Sequence, residues 1–133
     1  MIEVSRIFDI DIKSPLDLAR NIMSQIISTD LKSILLELYD CDSETLAYLL
    51  QKPELITFLI TEAYNNIRRF FKNEKLKLVL DEDAETGEKT VFLYILTDLP
   101  VDEALAKLNQ LDDEWWLDKI DNYPDLCIHV QMI

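Results

Sequence analysis

A single glycine, Gly87, occurs in the 133 residues of this chain. Glycine supplies positive φ and lets a backbone approach a ligand closely, so dinucleotide fingerprints and phosphate-cradling glycine loops are excluded. Histidine is equally scarce. His129 stands alone, and any Ser-His-Asp or Cys-His centre would have to be assembled around it. The two cysteines, Cys41 and Cys127, lie far apart and belong to no CxxC or His-containing spacing. That argues against both zinc and a disulfide framework, and buried free thiols are expected. No apolar run reaches the length of a membrane span, and the opening "MIEVSRIFDIDIK" has no basic start, apolar stretch or small-residue cleavage site. The expectation is a cytoplasmic protein that makes no membrane contact and carries no cofactor.

What is abundant is acid. Asp and Glu number 26 against 13 Lys and Arg, a net charge of −13, with 49% hydrophobic residues. The apolar content is that of a globular protein, and a chain of this length fits one domain, folding of which removes roughly two-thirds of its surface from water. The acidity is regional: residues 81–125 hold fourteen acids and three lysines. A field of that sign repels phosphate backbones and anionic membranes, so direct nucleic-acid binding is not expected. The counter-example is a basic stretch, Arg68, Arg69, Lys72, Lys75 and Lys77, whose first three members suit the negative end of a helix.

Hydrophobic periodicity outlines the elements. Phe8, Ile10 and Ile12 alternate with Asp9 and Asp11, as in a half-buried strand. "SPLD" at 14–17 then opens a helix that carries Ala19, Ile22, Met23, Ile26 and Ile27. Further helices are predicted from Leu31 to about Tyr39, from "DSET" at 42–45 through Leu50, and from Pro53 to about Lys72, the longest. At Lys75 the period switches to alternation. Leu76, Leu78 and Leu80 form a first strand, "DEDAETGEK" a polar turn, and "TVFLYILT" a second strand. The second strand is apolar on both faces, as in a central strand covered on each side, and the lysine-bearing first strand belongs at an edge. A helix over Val101–Leu111 and a last strand, "LCIHVQMI", complete a ββαβ module. The prediction is one α+β domain, with a mainly helical part at 1–73 and the ββαβ part at 74–133. Its sheet is antiparallel or mixed, in the manner of an inflated ferredoxin-like split βαβ.

The stretch "LTDLPVDEALAKLNQLDDEWWLDKI" with the following "LCIHVQMI" resembles a group of small bacterial proteins, many cyanobacterial. These share a strand, a DLxxxEAL-like helix, a D-E-x-W-W-L-like segment and a terminal strand. Trp115, Trp116 and Leu117 are the most specific part. Pro100 stands where a serine cap is usual. The group has no established activity, so the resemblance implies the ββαβ arrangement and no function.

Candidate chemistry is thin. Cys127 and His129 share one side of the last strand and could approach, but side chains at i and i+2 stand roughly 7 Å apart at the backbone, longer than a nucleophile–base hydrogen bond prefers. "DEDAETGEKTVF" fails as a calcium loop, because its glycine falls at the seventh position and Phe92 occupies the twelfth. The remaining feature is "LDDEWWLDKID". One reading has Trp115 closing the core while Trp116 and Leu117 cover its rim. The other leaves Trp116 partly exposed in an acidic collar as the anchor of a protein interface. The partner-binding set is Asp112, Asp113, Glu114, Trp116 and Asp118. The expected function is a small acidic interaction or regulatory protein without catalytic activity, facing a basic protein partner or forming a homodimer through an edge strand. Two alternatives are a nucleic-acid mimic that occupies a DNA-binding partner, and an enzyme using the carboxylates of 112–118.

Overall fold

The computed structural model describes residues 30–133. The strand expected at 7–12 and the helix expected from "SPLD" lie outside the described residues.

Residues 30–38 form helix α1, followed by a two-residue strand, β1 (Asp40–Cys41). Asp42 caps helix α2 (Ser43–Leu50), its carboxylate accepting from the Thr45 N–H at 2.8 Å in the ordinary manner of an N-cap. Pro53 begins α3, which runs as Pro53–Phe58, a π-helical turn Leu59–Ala63, and Tyr64–Phe70. The hairpin strands are β2 (Lys75–Glu82) and β3 (Lys89–Thr97). Helix α4 (Val101–Leu111) continues through a second π-turn, Asp112–Trp116, and the short turns Leu117–Lys119 and Ile120–Asn122, before β4 (Leu126–Met132).

The strands form one mixed sheet in the order β1-β2-β3-β4, with β1 and β2 parallel, β2 and β3 antiparallel, and β3 and β4 parallel. The α+β class and the mixed sheet are as expected. The split arrangement is corrected: β3 and β4, joined by α4, are hydrogen-bonded neighbours, whereas a split βαβ holds another strand between them. The two-residue β1 carries no hydrophobic alternation of its own, which is why periodicity misses it. It flanks β2 at Lys77 and Leu78, and among the described residues no other strand lies on that side of β2.

One face of the sheet carries the core. Leu76 and Leu78 of β2, Val91, Leu93 and Ile95 of β3, and Leu126, Ile128 and Val130 of β4 are buried in one cluster with side chains from all four helices. The registers Leu78↔Leu93 and Leu93↔Ile128 place them side by side. The opposite face carries Lys77, Tyr94 and His129 in one row and Val79, Phe92 and Cys127 in the next. There Phe92 and Tyr94 stack at 5.7 Å and are only half-buried. Among the described residues the core cluster takes no member from that face.

Two polar contacts tie distant segments together. The Tyr39 hydroxyl donates to the Leu59 carbonyl at 2.7 Å, and burial drives its pKa far up. Thr45, fully buried, accepts from the Leu80 N–H at 2.9 Å. That N–H lies just past the end of the short β1, where no strand supplies a carbonyl, and a buried donor without a partner is costly. Thr45→Val keeps the volume and removes the acceptor. Urea unfolding of this variant is expected to show a loss of about 1–3 kcal/mol, with Thr45→Ser losing less; a loss for valine no larger than for serine would deny the hydroxyl this role.

Candidate functional site

The tryptophan segment is governed by helix geometry. In an α-helix neighbouring side chains differ by about 100°, so two adjacent residues do not share a buried stripe. Yet Trp115 and Trp116 are 7% and 3% exposed. The reason is the π-turn: the Leu117 N–H bonds to the Asp112 carbonyl, five residues back, and the extra residue in the turn widens it. Both indoles thereby flank the inward direction set by Ala104, Leu108 and Leu111. Helix α3 does the same. Its buried Leu55, Leu59, Ala63, Ile67 and Phe71 recur every four residues, a stripe that a 3.6-residue period would swing round the axis by roughly 40° per turn. The Tyr64 N–H reaching back to the Leu59 carbonyl absorbs part of that drift.

Phe58 joins the two helices. It stacks on Trp115 at 5.5 Å and on Tyr123 at 3.9 Å, with Trp116 tilted against it at 6.1 Å. Among the described residues the Trp115 Nε1 has no acceptor, and a buried donor without a partner costs stability. The expectation of a partly exposed Trp116 is corrected: it is a core residue, and Leu117, 55% exposed, is the apolar side chain that meets solvent.

The carboxylates of the segment diverge. Asp112 is half-buried; burial, and then the charge of Asp113, raise its pKa, against an opposing pull from His129. Asp113 and Asp118 are exposed. Glu114 lies 4.0 Å from Arg69, and Lys119 pairs with Glu62 at 3.6 Å, two exposed contacts that run along the antiparallel α3–α4 seam and contribute little. Among the described residues no group of three or more His, Cys, Asp or Glu is placed to hold a metal ion, and no helix is long and apolar enough to cross a membrane. The "DEDAETGEK" turn uses its carboxylate internally. Asp83 Oδ1 accepts from the Glu85 and Thr86 N–H groups, which lowers its pKa, and Gly87 sits at φ 74°, the positive-φ position that a β-carbon strains.

Cys41 and Cys127 are free and half-buried, less enclosed than expected. Cys127 and His129 share the outer face of β4, and the His129 Nδ1 accepts from the Val130 N–H at 2.9 Å, which engages that nitrogen with backbone. Burial, then Asp112, raises the Cys127 pKa.

One cleft was not visible in the sequence. A cleft of about 780 Å³ opens where the end of α2, the start of α3, the start of β3 and the approach to β4 converge. In its wall Asp125 Oδ2 accepts from the Lys52 ammonium at 2.8 Å and from the Tyr48 hydroxyl at 3.0 Å. Lys52 and Lys89 lie 5.2 Å and 6.0 Å from the Tyr48 ring centroid, within cation–π range. Its residues come from positions 48–55, 88–90 and 122–125, and no periodic pattern links three segments so distant in sequence.

No family model matches the chain, and neither a curated protein nor a solved structure matches it.

Two pH-dependent outcomes follow from these environments. Burial by itself would raise the Asp125 pKa, but Lys52 and Tyr48 outweigh it and hold the carboxyl below the usual carboxylate range. A depressed carboxylate adds stability above its unfolded pKa that is lost as pH falls through its folded one. Asp125→Asn should therefore flatten the acid limb of a melting-temperature profile; a limb as steep as wild type would mean that the pair does not contribute. Cys41, pushed up to about 11 by burial and then by Asp42 and Asp40, should be alkylated by iodoacetamide at pH 8 about a hundredfold more slowly than in the urea-unfolded chain, as read by peptide mass spectrometry.

Proposed function

We propose that this chain is a small binding protein without catalytic activity, which docks a basic protein partner on the outer face of α4 and its π-helical continuation. The observation that carries the reading is the composition of that face. Val101 and Leu105, and Leu117 and Ile120, are between 37% and 56% exposed. Around them stand exposed Asp102, Glu103, Asp113, Asp118 and Asp121, none of them in an ion pair among the described residues. Exposed apolar side chains set among unspent carboxylates form a surface with desolvatable contact area at its centre and charge at its rim. The outward-pointing carboxylates support binding over acid–base chemistry, since two groups that act on one substrate must converge on it. In this reading Asp113 and Asp118 steer the partner, Glu114 flanks them, Leu117 takes the contact role expected of Trp116, and Trp116 with Asp112 holds the surface in shape from beneath.

The reading is tested by affinity capture from the source cells with wild type and with Asp113→Lys, Asp118→Lys, Leu117→Ala. A control of equal charge change, Glu82→Lys with Glu85→Lys, places the substitutions at the end of β2 and in the β2–β3 turn. All are exposed positions, where substitution costs little stability. A basic protein should be held by wild type and by the control, released by salt, and bound at least tenfold more weakly by the α4 variant. Equal capture by the α4 variant, or equal loss with the control, would sink the proposal.

A further inference from the structure

A second cleft, of about 450 Å³, lies between the end of α3 and the middle of α4. Its chemistry is opposite to that of the chain as a whole. Arg69 and Lys72 from α3 and its exit, and Lys107 from α4, line it, with the side-chain amides of Asn73 and Gln110 beside them and Glu74 as its one carboxylate. Three cations in one concavity are unexpected in a chain of net charge −13.

The routine task for cations at a helix end is to satisfy the last carbonyls and oppose the dipole. Arg68 already does this: its Nη1 donates to the Phe71 carbonyl at 3.0 Å and the Glu74 carbonyl at 2.7 Å. The other three are less committed. Lys107 donates to the Phe70 carbonyl at 3.2 Å, a single contact for an ammonium with three protons, and one that holds the side chain of α4 against the end of α3. Arg69 reaches Glu114 only at 4.0 Å and Asn66 Oδ1 at 3.3 Å, and its side chain is 54% exposed. Lys72 has no carboxylate within ion-pair distance among the described residues. The Glu74 Oε2 accepts from the Asn73 N–H at 3.2 Å. The cleft is thus rich in unspent donors and poor in acceptors.

We propose that this cleft is a binding site for a small phosphorylated molecule, its phosphate taken by Arg69, Lys72 and Lys107. A dianionic tetrahedral group offers several acceptor oxygens to three separate cations, and the planar guanidinium of Arg69 suits two of them at once. The volume accommodates a phosphate with a small organic moiety. The acid on the rest of the surface disfavours a long polyanion, whose charge would extend beyond the cleft. The proposal stands independently of the partner surface, which uses the outer side of α4.

The probe is inorganic pyrophosphate, titrated into the full chain by calorimetry and by thermal unfolding at constant ionic strength, with sodium chloride as the reference salt. Saturable heat and an upward shift of the melting temperature are expected, with affinity at least tenfold weaker in Arg69→Gln, Lys107→Gln and unchanged in Lys89→Gln, which alters the other cleft. Lys72→Gln, at an exposed side chain, tests the site without touching the α3–α4 contact and should weaken binding severalfold. Amide chemical shifts of the wild type should move at residues 69–74 and 107–110. A response no larger than that of chloride, equal weakening in Lys89→Gln, or shifts confined elsewhere would overturn the assignment. A single-stranded oligonucleotide binding more tightly than pyrophosphate would replace the small ligand with a polymer and overturn it as well.

Discussion

The contact of Phe58 with Trp115, Trp116 and Tyr123 organises the helical layer. Aromatic side chains carry large buried areas, so four of them at one crossing outweigh any single aliphatic contact between α3 and α4. That crossing demands something an α-helix does not provide: two consecutive residues pointing the same way. The π-turn at Asp112–Trp116 supplies it, and the facing π-turn at Leu59–Ala63 keeps the α3 stripe aligned beneath it. Each widened turn gives up some regular hydrogen-bond geometry, and the packing it permits compensates.

The two faces of the sheet differ in charge and burial. Among the described residues the helices pack on one face, and the other carries exposed lysines on β2, half-buried aromatics on β3, and Cys127 and His129 on β4. Among the described residues the Trp115 Nε1 is the one buried side-chain donor left without an acceptor; the buried hydroxyls are satisfied. Thr45 and Tyr39 each meet a backbone partner, and each marks a place where the strand ladder or the helix would otherwise leave a group unpaired or a layer unanchored.

Charge is separated along α4 in the same way. Its outward side carries carboxylates and exposed aliphatic residues, while Lys107 and Gln110 turn towards the end of α3, where Arg69 and Lys72 wait. An acidic chain therefore presents two surfaces of opposite chemistry on one helix. The geometry that separates them is the antiparallel seam of α3 and α4, bridged by the pairs at Glu62–Lys119 and Arg69–Glu114.

Much of this was open to direct reading of the residues. Asp42, Pro53 and the switch of period at Lys75 mark their elements because caps, proline geometry and strand alternation are local, and helix α4 begins and ends where its apolar spacing says. Of the two readings of Trp116 the partly exposed one fails, because adjacent residues diverge on an ideal helix and nothing in "DDEWW" announces the π-turn that packs both indoles against Phe58. The parallel contact of β1 with β2, the neighbouring of β3 and β4, and the two clefts depend on segments far apart in the chain. Composition and periodicity determined the class of fold, the acidity and the scarcity of glycine, because those properties belong to single residues and their near neighbours. Tertiary structure alone decided which tryptophans are buried and which cations converge, because side-chain direction and proximity are set by packing partners that sequence spacing does not name.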